Sequence, residues 1–155
     1  MLIYNVIRSN VALSTTTDFF TLVTNGTRSI LILEIDAEGD ATASTYNECG
    51  IYRVTTTGAT GGGAITPTAI DQPQAANVAQ FSVWTTWTTQ PAVGALIHNI
   101  PINANGQRYF WRANPNMSNA IPVQGSGPAI AGTCSVGRSI SGTSNISLRL
   151  QIAEF

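Results

Sequence analysis

Apolar and polar residues alternate along most of this chain, and Gly, Pro and Asn recur at intervals too short for a helix of ordinary length. Thr143 to Glu154 is the clearest element. There Ile146, Leu148, Leu150 and Ile152 share one face against Ser147, Arg149 and Gln151, the pattern of a half-buried strand. In the segment Arg28 to Glu38, the two-residue period puts Leu31, Leu33, Ile35 and Ala37 on one face and Ile30, Ile32, Glu34, Asp36 and Glu38 on the other. Further strands are expected over Leu2–Arg8, Phe19–Thr24, Glu48–Thr57, Phe81–Thr88, Leu96–Ile102, Arg108–Ala113, Ala120–Gln124 and Ala129–Val136, with a short helical turn allowed at Ser14 to Asp18. Asn25-Gly26 predicts a tight hairpin that folds the third strand back on the second. Asn105-Gly106 is a second hairpin signal, and Ser141-Gly142-Thr143 marks the turn into the last strand. Gly58 to Gly63 reads as a mobile hairpin tip. The sum is an all-β chain, one antiparallel β-sandwich of jelly-roll type over residues 1–155, with about eight to ten strands and no internal repeat.

Composition narrows the function. All seven basic residues are arginines, spread from Arg8 to Arg149, and the net charge is −1. Binding to nucleic acid draws on clustered Lys and Arg that release counterions from phosphates, so DNA and RNA are not expected partners. Weak self-repulsion suits a protein that joins copies of itself or a larger assembly. No apolar run approaches the ~20 residues of a membrane span, and Met1 to Arg8 lacks the basic and apolar regions of a signal peptide. Synthesis in a cytoplasm is the expectation, with Cys49 and Cys134 as reduced thiols, although a bridge between sheets stays open.

Candidate chemistry is sparse. A nucleophilic triad needs a base, and the one histidine, His98, sits on a strand where a hydrogen-bonded or solvent-facing role is the plainer reading. The alternating acids Glu34, Asp36, Glu38 and Asp40 read as a solvated acidic edge, with Gly39 ending the strand. Contact with arginines of a neighbouring subunit is the alternative; calcium binding or paired acid and base is a third reading. The Gly-rich loop lacks the Lys-Ser or Lys-Thr of a phosphate cradle. No cofactor and no metal are expected. Aromatic residues carry the binding signal. Trp84 and Trp87 point to opposite faces of one strand, whereas Arg108, Phe110 and Arg112 share a face opposite Tyr109 and Trp111. Arginine and aromatic side chains are enriched at protein interfaces, and aromatic faces also stack on sugars.

The run Glu34-Ile35-Asp36-Ala37-Glu38-Gly39-Asp40-Ala41-Thr42-Ala43-Ser44-Thr45, the stretch from Gly50-Ile51-Tyr52-Arg53 through the Gly-rich loop to Thr66-Pro67, and the closing Ser144 to Phe155 together resemble small β-sandwich virion proteins of tailed phages. Some of those are capsid decoration, or cement, proteins. The resemblance implies a non-enzymatic structural protein on the outer surface of the capsid, often a homotrimer, whose partner is the major capsid protein. It carries over no individual residue. From residue type, the expected contacts are Arg108, Phe110 and Arg112 together with Leu2 and Tyr4 of an N-terminal segment, 1–14, that acts as an arm between subunits. The competing expectation is a carbohydrate- or receptor-binding module of a head fibre or tail tip, with Trp84, Trp87 or Trp111 stacking on sugar rings. A polysaccharide hydrolase using Glu34, Asp36 or Glu48 stands third.

Overall fold

A computed structural model describes residues 1–24, 28–56, 59–60, 63–70, 78–123 and 133–155. Along the chain come β1 (Leu2–Ala12), β2 (Phe20–Thr24), β3 (Ile30–Asp40), β4 (Tyr46–Thr56), β5 (Ala59–Thr60), β6 (Ala64–Ile65) and β7 (Thr68–Ala69). They are followed by β8 (Phe81–Trp84), β9 (Trp87–Thr89), β10 (Ala92–Asn103), β11 (Asn105–Arg112), β12 (Ile121–Val123), β13 (Thr133–Ser141) and β14 (Asn145–Glu154). Sheet I has the order β11-β3-β14-β1-β7, with β12 also pairing β3; sheet II has the order β10-β4-β13-β2-β8-β6, and β5 pairs β9 apart from both. Every described pairing is antiparallel, and the two six-stranded sheets pack face to face as a β-sandwich.

The core is what the alternating strands bring inward. Val6, Ile32, Ile35, Leu148, Leu150 and Ile152 of sheet I are fully buried against Phe20, Leu22, Ile51, Ile100, Ile102 and Val136 of sheet II. Each such side chain contributes about 1.5–3 kcal/mol relative to exposure. β14 keeps its predicted alternation from Ile146 to Ile152 and sets the register of its neighbours, with Leu148 opposite Ala37, Leu150 opposite Ile35 and Ile152 opposite Ile32.

The face assignment for the third strand needs correction. The β3–β14 register shifts between Gln151 and Ile152, which face Glu34 and Ile32, so Leu33 is an extra residue in a β-bulge. Ile30 and Ile32 therefore join Ile35 and Ala37 in the core, while Leu31 and Leu33 are only half-buried. Nor does Gly39 end the strand, which runs on to Asp40. A side chain at Gly39 would meet the carbonyl oxygens of Asn103 and Ala104, where the chain crosses from β10 to β11.

Other local expectations are also revised. β3 does not fold back on β2, because β2 finds its partners in β13 and β8 of sheet II while β3 pairs with β14, a strand of matching length. Asn105-Gly106 is not a hairpin turn; Gly106, at φ 66°, occupies a register shift of β11 between Asn105 and Arg108. Thr85 and Thr86 break the expected strand 81–88 into β8 and β9. Residues 14–18 form bends in which Ser14 Oγ accepts from the Thr16 and Thr17 amides, not a helical turn. Asn25-Gly26, Gly58, Gly61 and Gly62 of the Gly-rich loop, and residues 129–132 lie outside the described residues. The N-terminal segment is no free arm. β1 lies between β14 and β7, pairing from Leu2 to Ala12.

Candidate functional site

The outer face of sheet I is organised by three arginines. On β11 the register sets Arg108, Phe110 and Arg112 opposite Glu38, Asp36 and Glu34; on β14 it sets Ser147, Arg149 and Gln151 opposite the same three acids. Central β3 thus carries carboxylates between two strands that carry guanidiniums. Arg108 grips Asp36 with two bonds, Nε to Oδ1 at 2.7 Å and Nη2 to Oδ2 at 2.8 Å. Arg112 Nε lies 3.2 Å from Glu34 Oε2, and Arg149 Nη2 reaches Glu34 Oε1 at 2.7 Å and Asp36 Oδ2 at 3.2 Å. The Arg108 guanidinium, by hydrogen bonding, holds the Asp36 carboxyl below its ordinary range. Glu34 and Asp36 are accordingly not a solvated edge, because arginines of the same chain hold them, whereas Glu38 and Asp40 stay exposed and Asp40 accepts from Ser147 Oγ at 2.6 Å. Among the described residues, no group of three or more His, Cys, Asp or Glu side chains is placed to hold a metal.

What this network leaves outward is arginine and apolar surface. The side chains of Arg108 and Arg112 are 61% and 66% exposed although their carboxylate partners are largely covered. Phe110 between them is 51% exposed, with the Arg108 guanidinium 5.8 Å from its ring centre. Ile7 of β1, opposite Arg149, is 54% exposed on the same face. Beside Arg112 a groove of about 370 Å³ opens between Ile3, Leu33, Asn114, Met117 and Gln151.

The predicted N-terminal contacts are corrected by the parity of β1. Tyr4 is buried in the core, its ring edge-on to Phe81 at 5.5 Å, and Leu2 packs against that core. Ile3 and Ile7 carry the outward positions.

The three tryptophans separate. Trp111 turns inward with Tyr109 and packs against the core, its ring 5.1 Å from that of His98. His98 Nε2 and the Tyr109 hydroxyl are 2.8 Å apart, and burial pushes the histidine pKa down. The bend at Thr85–Thr86 brings Trp84 and Trp87, expected on opposite faces, to a centroid distance of 6.2 Å. Trp87 Nε1 donates to Thr21 Oγ1 at 2.8 Å, which ties it down. Trp84 lines a groove, about 570 Å³, with Ile65, Thr66, Thr68, Phe81 and Val83.

Trp87 leads into a buried network that no sequence signal marked. Thr21 Oγ1 donates to Asp18 Oδ2 at 2.6 Å, while Ser135 Oγ and Arg138 Nε donate to Asp18 Oδ1 at 2.6 and 2.8 Å. The Asp18 side chain is 1% exposed, and this carboxylate, accepting at both oxygens, pins the segment before β2 to β13. Cys49 and Cys134 are free buried thiols on β4 and β13, each pushed up to about 12 by burial. Glu48, bonded to Asn99, lies in sheet II and is not paired with Glu34 or Asp36. Arg149 and Ile7 are the members of the outer face that residue type alone did not single out, since their importance depends on strand register. No protein-family model, curated protein or solved structure matches the chain.

Proposed function

We propose that this chain is a non-enzymatic virion structural protein, a decoration or cement protein that binds the outside of a tailed-phage head through the outer face of sheet I and braces neighbouring major capsid subunits. The observation that carries this reading is the row Arg108, Phe110, Arg112, an exposed aromatic between two exposed arginines, with Ile7 on the same face. Arginine and aromatic residues are enriched at protein interfaces, and arginine at their energetic centres. The intramolecular acid pairs matter here because they fix the guanidiniums before any partner arrives, which reduces the ordering cost of binding. A homotrimer on a symmetric shell engages several capsid subunits at once, so each contact can be weak. Light scattering of the purified protein, followed by binding to heads stripped of accessory proteins, tests the reading. A trimer that saturates the heads and raises their resistance to heat supports it; a monomer that ignores heads overturns it.

A second reading is favoured by one observation, the groove beside Trp84 with Thr66 and Thr68 at its wall. It is a carbohydrate- or receptor-binding module of a head fibre or tail tip. Binding on a glycan array that is lost in Trp84→Ala, with no binding to heads, would replace the decoration reading by this one.

A further inference from the structure

β11 ends sheet I, and among the described residues no strand pairs with its outer edge. The direction of its main chain follows from one bond. The Ala113 amide donates to the Leu33 carbonyl at 2.7 Å, and the β11–β3 register is unbroken from Arg108 to Arg112. By the two-residue alternation of an antiparallel ladder, Trp111 and Tyr109 also turn their N–H and C=O groups toward β3. Arg108, Phe110 and Arg112 turn theirs toward the open edge. The three residues whose side chains form the exposed row are therefore the same three that offer main-chain donors and acceptors.

We infer that β11 is the docking edge for an extended acidic segment of another protein, which adds to sheet I as an antiparallel strand. Carboxylates stand opposite Arg108 and Arg112, and an apolar residue stands opposite Phe110; the inference rests on the reading of this chain as a binder of protein surfaces. Main-chain bonds supply affinity in strand addition, and the alternate side chains supply selection. Charge selects the occupant. Arg108 Nη1 takes no part in the two hydrogen bonds that hold Asp36, and the Arg112 side chain is 66% exposed, so an incoming carboxylate meets donors. A second copy of β11 fits poorly. Antiparallel pairing centred on Phe110 would set Arg108 opposite the copy's Arg112, and like charges directly opposite are destabilising.

The test uses the full chain and a fluorescein-labelled peptide, Thr-Glu-Thr-Val-Thr-Glu-Thr, followed by fluorescence anisotropy. The expected result is binding about tenfold tighter than that of the same peptide with Lys for both Glu, with the preference reversed in the doubly substituted R108E/R112E chain. A peptide methylated on the backbone nitrogens of Val and both Glu leaves the protein untouched, and it is expected to lose binding. Equal binding of the acidic and basic peptides, or full binding of the methylated one, would overturn the inference. So would a dimer of the chain that the peptide disrupts, since it would make a second copy the occupant. Peptide binding without head binding would sustain the strand edge and overturn the decoration reading, whereas head binding that ignores the peptide would overturn the strand edge alone.

Discussion

Arg149 Nη2 lies 2.7 Å from Oε1 of Glu34, a carboxylate whose side chain is only 4% exposed and which also faces Arg112. A charge this well covered is tolerable because two guanidiniums meet it. Replacing Glu34 with Ala leaves Arg149 with Asp36 alone and Arg112 with no carboxylate. The expected loss is about 2 kcal/mol, reduced from the cost of breaking a fully buried pair because both arginines reach solvent. Urea unfolding of Glu34→Ala against the parent checks it, and an unchanged midpoint would show that the network does not support the sheet.

The Asp18 network should cost more to break. Its carboxylate accepts from Thr21, Ser135 and Arg138, and its removal leaves a nearly covered guanidinium without its counter-charge. Asp18→Ala is expected to lose about 3–5 kcal/mol in urea unfolding. Trp87 fluorescence should change in the same variant, because its indole N–H is bonded to Thr21.

His98 gives the stability a pH dependence of known sign. Burial lowers its pKa below 6.5 in the folded chain, so the unfolded chain takes up the proton first as pH falls. The contribution is complete above pH 6.5, declines below it, and levels off once pH passes the depressed folded value. The melting temperature of the parent should fall across that window more steeply than that of His98→Gln. Identical slopes would contradict the buried, neutral histidine.

Gly39 is fixed by close approach of backbone. Gly39→Ala would drive a methyl into the Asn103 and Ala104 carbonyl oxygens. Main chain yields less readily than a flexible side chain, so a loss of roughly 3 kcal/mol or more is expected in thermal or urea unfolding.

These sites mark where sequence reading succeeds and fails. β14 was legible because its alternation is unbroken from Ile146 to Ile152, and the all-β sandwich followed from many such strands. β3 misled by a single residue: Leu33 bulges out, and the inward set changes from even to odd numbers on passing it. A bulge has no fixed residue signature, since it answers to the register of the neighbouring strand. Asn105-Gly106 misled differently, because Gly106 serves a register shift within β11 as well as it would a hairpin. At the candidate site, Arg108, Phe110 and Arg112 were visible as a two-residue ladder of interface-prone types. Tyr4 was not separable from Ile3 and Ile7 until pairing with β14 fixed the parity of β1. Asp18 and Arg138 are remote in sequence, and only the fold brings them together.

The most direct test of the central claim is the occupancy of stripped phage heads by the parent chain and by a Phe110→Ser, Arg112→Ser double variant, measured by co-sedimentation over a concentration series. Both positions are exposed, so the variant is expected to keep the parent's fold by circular dichroism. The parent should saturate the heads and the variant should bind at least about tenfold more weakly, the loss of one interface centre. Equal occupancy by both, or no binding by the parent, would contradict the account.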